Sequence, residues 1–235
     1  MSRAALPSRL PDARRIAQAL LAALGLLVML AVFVQVADLL ADRQAGLIDN
    51  TALKEAVEHR SGPATWLMEA VSTAAEIPLM VAAAVLAAVV GWRERGWRAP
   101  VVTGAAGALA VGLATLVKTV AGRARPPMAT RLVQETGFSF PSRHTTVATA
   151  LLLVMAYLVA SLLRSRLATL LVWVAAVGLA ALVASSRVYL GVHWATDVTA
   201  GFALGAGAAL TVVIADLVRR MWAGSAASRR RGEAG

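Results

Sequence analysis

Six long apolar stretches dominate this 235-residue sequence. They cover residues 16–41, 66–92, 100–120, 145–163, 167–185 and 194–217. A helix needs roughly 20 residues to cross the hydrocarbon core of a bilayer. The stretches are continuous and rich in Ala, Leu and Val, without the alternation of apolar and polar residues that marks a barrel strand. We therefore predict an all-α polytopic membrane protein in which six transmembrane helices form one bundle.

The segments that flank the apolar stretches are basic. We predict a basic cytoplasmic tail over residues 1–15, a six-helix transmembrane domain over 16–220 and a disordered basic tail over 221–235. The first tail and stretch also resemble a cleavable signal peptide. However, the stretch is much longer than the roughly 7–15 apolar residues of a signal-peptide core, and no small-residue cleavage site follows it. We expect it to be retained as the first span.

The composition agrees with lipid as the solvent. Hydrophobic residues make up 59 % of the chain and charged residues 15 %, whereas soluble domains contain about 25 % charged residues. This excludes an intrinsically disordered chain and argues against a soluble enzyme. The absence of cysteine excludes disulfides, thiolate catalysis and cysteine-ligated zinc. The net charge of +10 does not indicate nucleic-acid binding, because no basic stripe with interleaved aromatic residues accompanies it.

The basic residues also predict the orientation in the membrane. With six spans, one side of the membrane receives 14 Lys and Arg residues and the other side nine. The positive-inside rule then places both termini in the cytoplasm. We expect the protein to lie in the plasma membrane. Six of the nine outer cations lie within residues 118–143 and at Arg187, where topology alone favours few. We expect an anionic ligand at that place.

Two features of the outer side lie outside the main motifs. Residues 50–58 predict a short interfacial helix, capped by Asn50 or Thr51, that serves either loop packing or substrate access. Glu76 stands within the second apolar stretch, where a carboxyl group needs a partner. Its two interpretations are a structural hydrogen bond near Pro78 and a place in the lining of a substrate cavity.

Lys118 and Arg125 form the first candidate motif. They stand seven residues apart, about two helical turns, so a continuous helix would place both cations on one face. Pro126 and Pro127 would end that helix. Two cations that face one volume suit an anion, and the alternative is a pair that snorkels to the membrane boundary.

Residues 141–144, Pro-Ser-Arg-His, form the second candidate motif. Pro141 near a helix start and Ser142 as a capping residue leave backbone N–H groups at the outer membrane face. That arrangement, with the positive end of the helix dipole, binds phosphate. His144 lies in the first turn, within reach of a group held there. The alternative is a plain helix cap followed by a surface histidine.

Ser186, Arg187, His193 and Asp197 form the third candidate motif. His193 and Asp197 stand four residues apart, so both fall on one helix face and can share a hydrogen bond. A carboxylate held against an imidazole fixes its tautomer and raises its basicity, as a nucleophile or base requires. The alternative is an interfacial pair that satisfies only itself.

Together the three motifs closely resemble the signature of the type 2 phosphatidic acid phosphatase superfamily, lipid phosphatases related to vanadium haloperoxidases. The signature reads KxxxxxxRP, PSGH and SRxxxxxHxxxD, and residues 118–126, 141–144 and 186–197 match it. One position departs from it, because Arg143 stands where the family usually has glycine. The Arg143 side chain either engages a second phosphate, which would favour a polyprenyl diphosphate, or points outward.

The resemblance implies a role for each motif residue. His193 would attack phosphorus and form a phosphohistidine, Asp197 would orient His193, and His144 would protonate the leaving group and then activate water. The remaining motif residues would bind the phosphate group: Lys118, Arg125, Ser142, Arg143, Ser186 and Arg187. The resemblance implies neither a metal ion nor a cofactor.

The resemblance also implies a membrane lipid phosphate as the substrate, bound at the extracytoplasmic face. Undecaprenyl diphosphate, phosphatidic acid and phosphatidylglycerol phosphate are all compatible with the sequence. The first alternative is a non-catalytic binder or transporter of lipid phosphates, which would leave both histidines and the carboxylate without a purpose. The second is a structural membrane protein with relic motifs. The sequence does not indicate an oligomeric state.

Overall fold

The computed structural model describes residues 13–42 and 44–233, and in that part of the chain all regular secondary structure is helical. Its α-helices are α1 (Ala13–Ala41), α2 (Gly46–Glu58), α3 (Gly62–Ala74), α4 (Ile77–Glu94), α5 (Arg98–Ala121), α6 (Arg143–Leu162), α7 (Arg166–Tyr189) and α8 (Ala195–Glu233). The predicted all-α fold is confirmed. Residues 1–12 of the predicted N-terminal tail lie outside the described residues.

Six of the described helices are long and apolar enough to cross a membrane, namely α1, α4, α5, α6, α7 and α8. This agrees with the six predicted spans. Because successive spans cross in opposite directions, the segments that follow α1, α5 and α7 lie at one end of the bundle. We call it the motif end, since all three motifs reach it.

The second predicted span, residues 66–92, is divided into two helices. α3 ends at Ala74 and α4 begins at Ile77. Glu76 between them has a non-helical backbone, with φ −94° and ψ −120°. Pro78 explains the break, because it has no N–H to donate to the carbonyl oxygen of Ala74 and its ring clashes with that carbonyl in a continuous helix. Glu76 therefore precedes α4 with a half-exposed side chain, and its prediction as a residue deep within one continuous span is wrong.

α6 and α8 form the centre of the bundle. α6 is the most buried of the spans and packs against α4, α5, α7 and α8. A β-carbon at Gly201 would lie 2.8 Å from the carbonyl oxygen of Ser142, and one at Gly205 would lie 2.2 Å from that of Thr146. Only glycine permits such an approach of two backbones. The contact fixes the start of α8 against the start of α6.

α2 is the predicted short outer helix, but it begins earlier than predicted. It starts at Gly46, so Asn50 and Thr51 lie inside the helix and do not cap it. Asp49 and Leu53, one turn apart, are buried, whereas Leu47 is 80 % exposed. The buried side of α2 packs against α7 and α8.

α8 continues to Glu233, through residues 221–233 that we expected to be disordered. The segment contains no proline, and its Ala and Arg residues are good helix formers. Propensity therefore accounts for a helical backbone beyond the apolar part of the span.

Candidate active site

His193 lies in the short turn between α7 and α8. Gly191 opens the turn with a φ of 71°, and a β-carbon there would lie 2.1 Å from the carbonyl oxygen of Thr130. Only glycine fits this close, left-handed position. The turn places the His193 side chain inside the motif end, where it is 1 % exposed.

Asp197 faces His193 as the spacing predicts. Nδ1 of His193 lies 3.5 Å from Oδ2 of Asp197. The same carboxylate accepts hydrogen bonds from Ser139 Oγ and from the Trp194 backbone N–H at 2.9 Å. Burial lowers the pKa of His193 to about 4, against the opposite effect of Asp197. His193 is therefore neutral at physiological pH, with its Nδ1 proton available to Asp197.

Nε2 of His193 faces cationic side chains. Arg125 Nη1 lies 3.1 Å from this nitrogen. Backbone carbonyl groups hold Arg125 in place, because its guanidinium donates to Val192 at 2.9 Å and to Thr136 at 3.0 Å. Burial lowers the pKa of Arg125, with partial compensation from Glu135.

The first motif is brought together by a loop and not by a continuous helix. α5 ends at Ala121, and Gly122 follows with a φ of 57°, so Arg125 lies beyond the helix. The helix does not persist through Arg125, so the condition under which both cations would share one helix face is not met. Lys118 remains on the last turn of α5 and donates to the Phe138 carbonyl oxygen at 2.5 Å. Lys118 and Arg125 still lie close enough to interact electrostatically.

Arg187 completes a cluster that we call the cationic cradle, which consists of Lys118, Arg125 and Arg187. Arg187 is 2 % exposed and donates to Ser72 Oγ and to a carboxylate oxygen of Glu135. Its Nε atom is buried without a hydrogen-bond partner among the described residues. The cradle therefore keeps an unused donor inside the site.

Glu135 lies between two cations of the cradle and His144. Its carboxylate pairs with Arg187, lies 3.5 Å from Arg125 Nη2 and lies 3.9 Å from His144 Nδ1. Burial raises the pKa of Glu135, but Arg187, His144 and Arg125 together hold it below its ordinary value. Carboxylate and phosphate oxygens attract the same charged donors. The Glu135 carboxylate therefore shows where an anionic group fits.

His144 stands in the first turn of α6, as predicted, with 8 % of its side chain exposed. Its Nε2 pairs with the Glu76 carboxylate. Glu76 thus has the partner that the sequence left unnamed. A buried imidazole between two carboxylates, Glu76 and Glu135, can move a proton to or from a group in the cradle.

The other predicted phosphate ligands occupy different positions. Ser142 caps α6, as predicted, by accepting from the Thr145 N–H at 3.4 Å. Ser186 directs its hydroxyl to the Val183 carbonyl oxygen in its own helix, at 2.7 Å. Arg143 has an exposed side chain.

A polar cavity of about 430 Å³ opens beside the cradle. Arg187, Glu135 and Glu76 line it together with Glu69, Ser72 and Thr73. Among the residues that the structure describes, no group of three or more His, Cys, Asp or Glu is placed to hold a metal ion.

The sequence motifs missed several residues that reach the site. Glu135, Ser139 and Arg123 contact motif side chains, and Asp49 contacts Arg123 and Thr196, yet none of the four occupies a fixed position of the signature. One sign in the sequence indicated that Arg123 could reach the site, since Arg123 is among the excess cations on the outer side. Glu135 lies in the loop between two motifs, and its identity as a partner depends on how that loop folds.

Three comparisons place the chain among known proteins. Residues 96–221 match the family model described as the PAP2 superfamily. Decaprenylphosphoryl-5-phosphoribose phosphatase of Mycobacterium tuberculosis is 34 % identical over 179 residues, which cover 75 % of this chain and 84 % of that protein. Phosphatidylglycerophosphatase B of Bacillus subtilis is 48 % identical over 84 residues, which cover 35 % of this chain but only 41 % of that protein.

The solved structure reported as the first transmembrane PAP2 type phosphatidylglycerolphosphate phosphatase from Bacillus subtilis has a similar fold. It aligns with a TM-score of 0.72 and 29 % identity, over 80 % of this chain and 93 % of that one. With its six apolar helices, this chain is a multi-pass membrane protein. The chain belongs to the PAP2 superfamily, whose phosphatases hydrolyse phosphate esters of lipids.

Proposed function

We propose that this chain is a lipid phosphatase that forms a phosphohistidine at His193. One observation carries the proposal. The neutral, buried His193 directs Nδ1 to Asp197 and Nε2 to Arg125 of the cationic cradle. A nucleophilic lone pair thus faces the place where cations would hold a phosphoryl group.

In the first step, the cradle and the N–H groups at the start of α6 would bind the phosphoryl oxygens. Nε2 of His193 would attack phosphorus, and the bond from phosphorus to the ester oxygen would break. Asp197 would stabilise the positive charge on the imidazole. His144, which lies beside the cradle at Glu135, would give a proton to the leaving oxygen.

In the second step, His144 would take a proton from a water molecule that attacks the phosphohistidine. Phosphate would leave and His193 would return to its neutral form. Glu135 now occupies the cradle, so a bound phosphate would displace its carboxylate. Phosphoryl transfer of this kind depends mainly on positioning and charge stabilisation, which the protein cations would supply.

The substrate we propose is a lipid that carries a phosphate monoester on a polyol. The cavity beside the cradle is lined by Glu69, Glu76 and Glu135 and by the hydroxyls of Ser72 and Thr73. Carboxylates accept hydrogen bonds from hydroxyl groups and repel a second phosphate. The names of two relatives, a phosphatidylglycerophosphatase and a decaprenylphosphoryl-5-phosphoribose phosphatase, support this class over a polyprenyl diphosphate.

We also propose that the motif end faces the extracytoplasmic side, with both termini in the cytoplasm. The count of 14 basic residues against nine supports this orientation. The cradle accounts for three of the six outer cations that the positive-inside rule does not explain. Labelling of single cysteines introduced at residues 54 and 96, in cells with an intact membrane, would test the orientation.

The activity is tested by phosphate release from purified protein in detergent with EDTA. The substrates are phosphatidylglycerol phosphate, phosphatidic acid and undecaprenyl diphosphate, each with wild type, His193→Ala and His59→Ala. His59 is the matched control, because its side chain is 75 % exposed. We expect release from phosphatidylglycerol phosphate that only His193→Ala abolishes. Binding of the lipid phosphates by folded wild type without release would instead establish the non-catalytic binder or transporter.

A further inference from the structure

Arg123 joins two buried carboxylates that belong to distant parts of the chain. Its Nη1 donates to Asp197 Oδ1 at 2.5 Å, and its Nη2 donates to Asp49 Oδ2 at 2.5 Å. Asp49 is 2 % exposed and Asp197 is 0 % exposed. Arg123 also lies over the Trp194 ring, 5.6 Å from its centroid. The guanidinium is thus held between α2 and the start of α8.

Asp49 is the anchor of this contact on α2. Besides Arg123, it accepts from the Thr196 backbone N–H at 2.9 Å and from the Thr196 hydroxyl. Thr196 is the residue before Asp197. A carboxylate that accepts a backbone N–H in the first turn of a helix stabilises that turn and its orientation. α2 therefore holds the first turn of α8, which carries Asp197.

The two oxygens of Asp197 have separate partners. Oδ2 faces His193 and accepts from Ser139 and Trp194. Oδ1 accepts from Arg123. Removal of the Arg123 guanidinium would leave Asp197 without its ion pair and would free the carboxylate to rotate away from His193. Such outer partners of a reacting group typically change activity by about 10–100-fold.

Arg123 differs from the cationic cradle in what it contacts. Its described side-chain hydrogen bonds go to Asp49, Asp197 and Thr196, and Asp49 and Asp197 are its ion-pair partners. The cradle residue Arg125 instead lies against Nε2 of His193, the nitrogen that would receive the phosphoryl group. Arg123 thus lies on the Asp197 side of the His193–Asp197 pair, away from Nε2 of His193.

We propose that Arg123 and Asp49 are positioning residues for the hydrolysis, which act through Asp197 on His193. This inference rests on the proposed function. It also gives α2 a role beyond loop packing and substrate access, since the helix supplies the carboxylate that holds Arg123. Neither residue occupies a position of the three motifs.

The test compares steady-state kinetics and phosphate binding of four variants: Arg123→Gln, Arg123→Lys, Asp49→Asn and Glu55→Gln. Glu55→Gln is the matched control, because it removes a carboxylate from the same helix at a side chain that is 61 % exposed. We expect Arg123→Gln to lower kcat by about 100-fold and Asp49→Asn by about 10-fold. KM and the affinity for inorganic phosphate stay within about 3-fold, and Arg123→Lys recovers part of kcat.

A double variant, Arg123→Gln with Asp49→Asn, shows whether Asp49 acts through Arg123 or independently of it. Asp49→Asn should cost about 10-fold alone but less than about 2-fold in the Arg123→Gln background, because the amide oxygen can still accept from Thr196 and the lost charge acts through Arg123. Melting temperatures in detergent are measured for every variant. Where Arg123→Gln is not recovered folded, Arg123→Lys takes its place in the same cycle.

The outcomes distinguish this inference from the proposed function. Wild type without phosphate release would overturn the proposed function. Active wild type with inactive His193→Ala, but an unchanged kcat in the folded Arg123 and Asp49 variants, would overturn only the positioning role. A rise in KM at unchanged kcat would do the same, because it would make Arg123 a phosphate ligand.

Discussion

The two ends of the helix bundle use arginine in opposite ways. At the end away from the motifs, Arg98 donates to Asp216 at 2.7 Å and to Glu94 at 2.8 Å. Asp216 also accepts from Tyr157 at 2.8 Å. We call these four residues the opposite-end cluster. Two carboxylates there meet Arg98, and Asp216 also lies 3.3 Å from Arg219, so two cations balance two carboxylates within the protein.

At the motif end, Arg125 and Arg187 of the cationic cradle share one carboxylate, that of Glu135, while Lys118 donates to two backbone carbonyl oxygens. The cradle also adjoins a cavity of about 430 Å³. Buried ion pairs that are internally balanced hold a structure together, whereas excess buried charge beside a cavity requires a ligand of the opposite sign. We therefore expect the same residue type to be structural at one end and ligand-binding at the other.

The largest expected effect at the motif end is that of His193→Ala. Removal of the nucleophile leaves only binding and charge stabilisation, so we expect phosphate release to fall by at least about 10⁴-fold. His59→Ala, at an exposed position of the same end, should change the rate by less than about 2-fold. Retention of more than a hundredth of the activity in His193→Ala would contradict the role of His193.

The next prediction compares one arginine from each end of the bundle, Arg187 and Arg98. Arg187→Gln should lower kcat/KM by about 10²–10³-fold, since a donor to the phosphoryl group is lost. Arg98→Gln should instead lower the free energy of unfolding by about 3 kcal/mol, because it removes the buried ion-pair partner of Asp216 and leaves only the exposed Arg219, 3.3 Å away. Phosphate release and thermal unfolding in detergent measure both quantities for both variants. A stability loss confined to Arg187→Gln, or a loss of kcat/KM confined to Arg98→Gln, would reverse the comparison.

The pH dependence of the motif end gives a third prediction. Burial lowers the pKa of His193 to about 4, so its attacking nitrogen is unprotonated above that pH. Below it, protonation removes the lone pair, and kcat/KM should fall by about tenfold for each further pH unit. Phosphate release between pH 3.5 and 8, with KM followed at each pH, checks this. An acid limb from His193 near its ordinary value of about 6.5 would show that His193 is not desolvated in the working enzyme.

The sequence predicted the parts of the fold that depend on local patterns. Apolar content identified six spans, and motif spacing placed His193 against Asp197. The break before α4 was missed because the apolar residues continue past Pro78, although proline supplied a local signal. The contacts of Glu135 with Arg187 and of Asp49 with Thr196 join residues far apart in the chain. No sequence period determines such contacts, since they depend on how loops fold over the bundle.

The smallest expected effects compare the only two tyrosines of the chain, which stand at opposite ends. Tyr157 donates its hydroxyl to the charged Asp216 at 2.8 Å, whereas the Tyr189 hydroxyl meets the neutral Thr65 hydroxyl at 3.0 Å. Hydrogen bonds to charged groups contribute more than those between neutral groups. We therefore expect Tyr157→Phe to lower the free energy of unfolding by about 1.5 kcal/mol and Tyr189→Phe by about 0.5 kcal/mol.

Neither variant should change kcat/KM by more than about 2-fold, because neither hydroxyl contacts the cradle. Thermal unfolding and phosphate release on the two variants measure this, and a larger loss of stability in Tyr189→Phe would show that the opposite-end cluster is not the more strongly stabilised end.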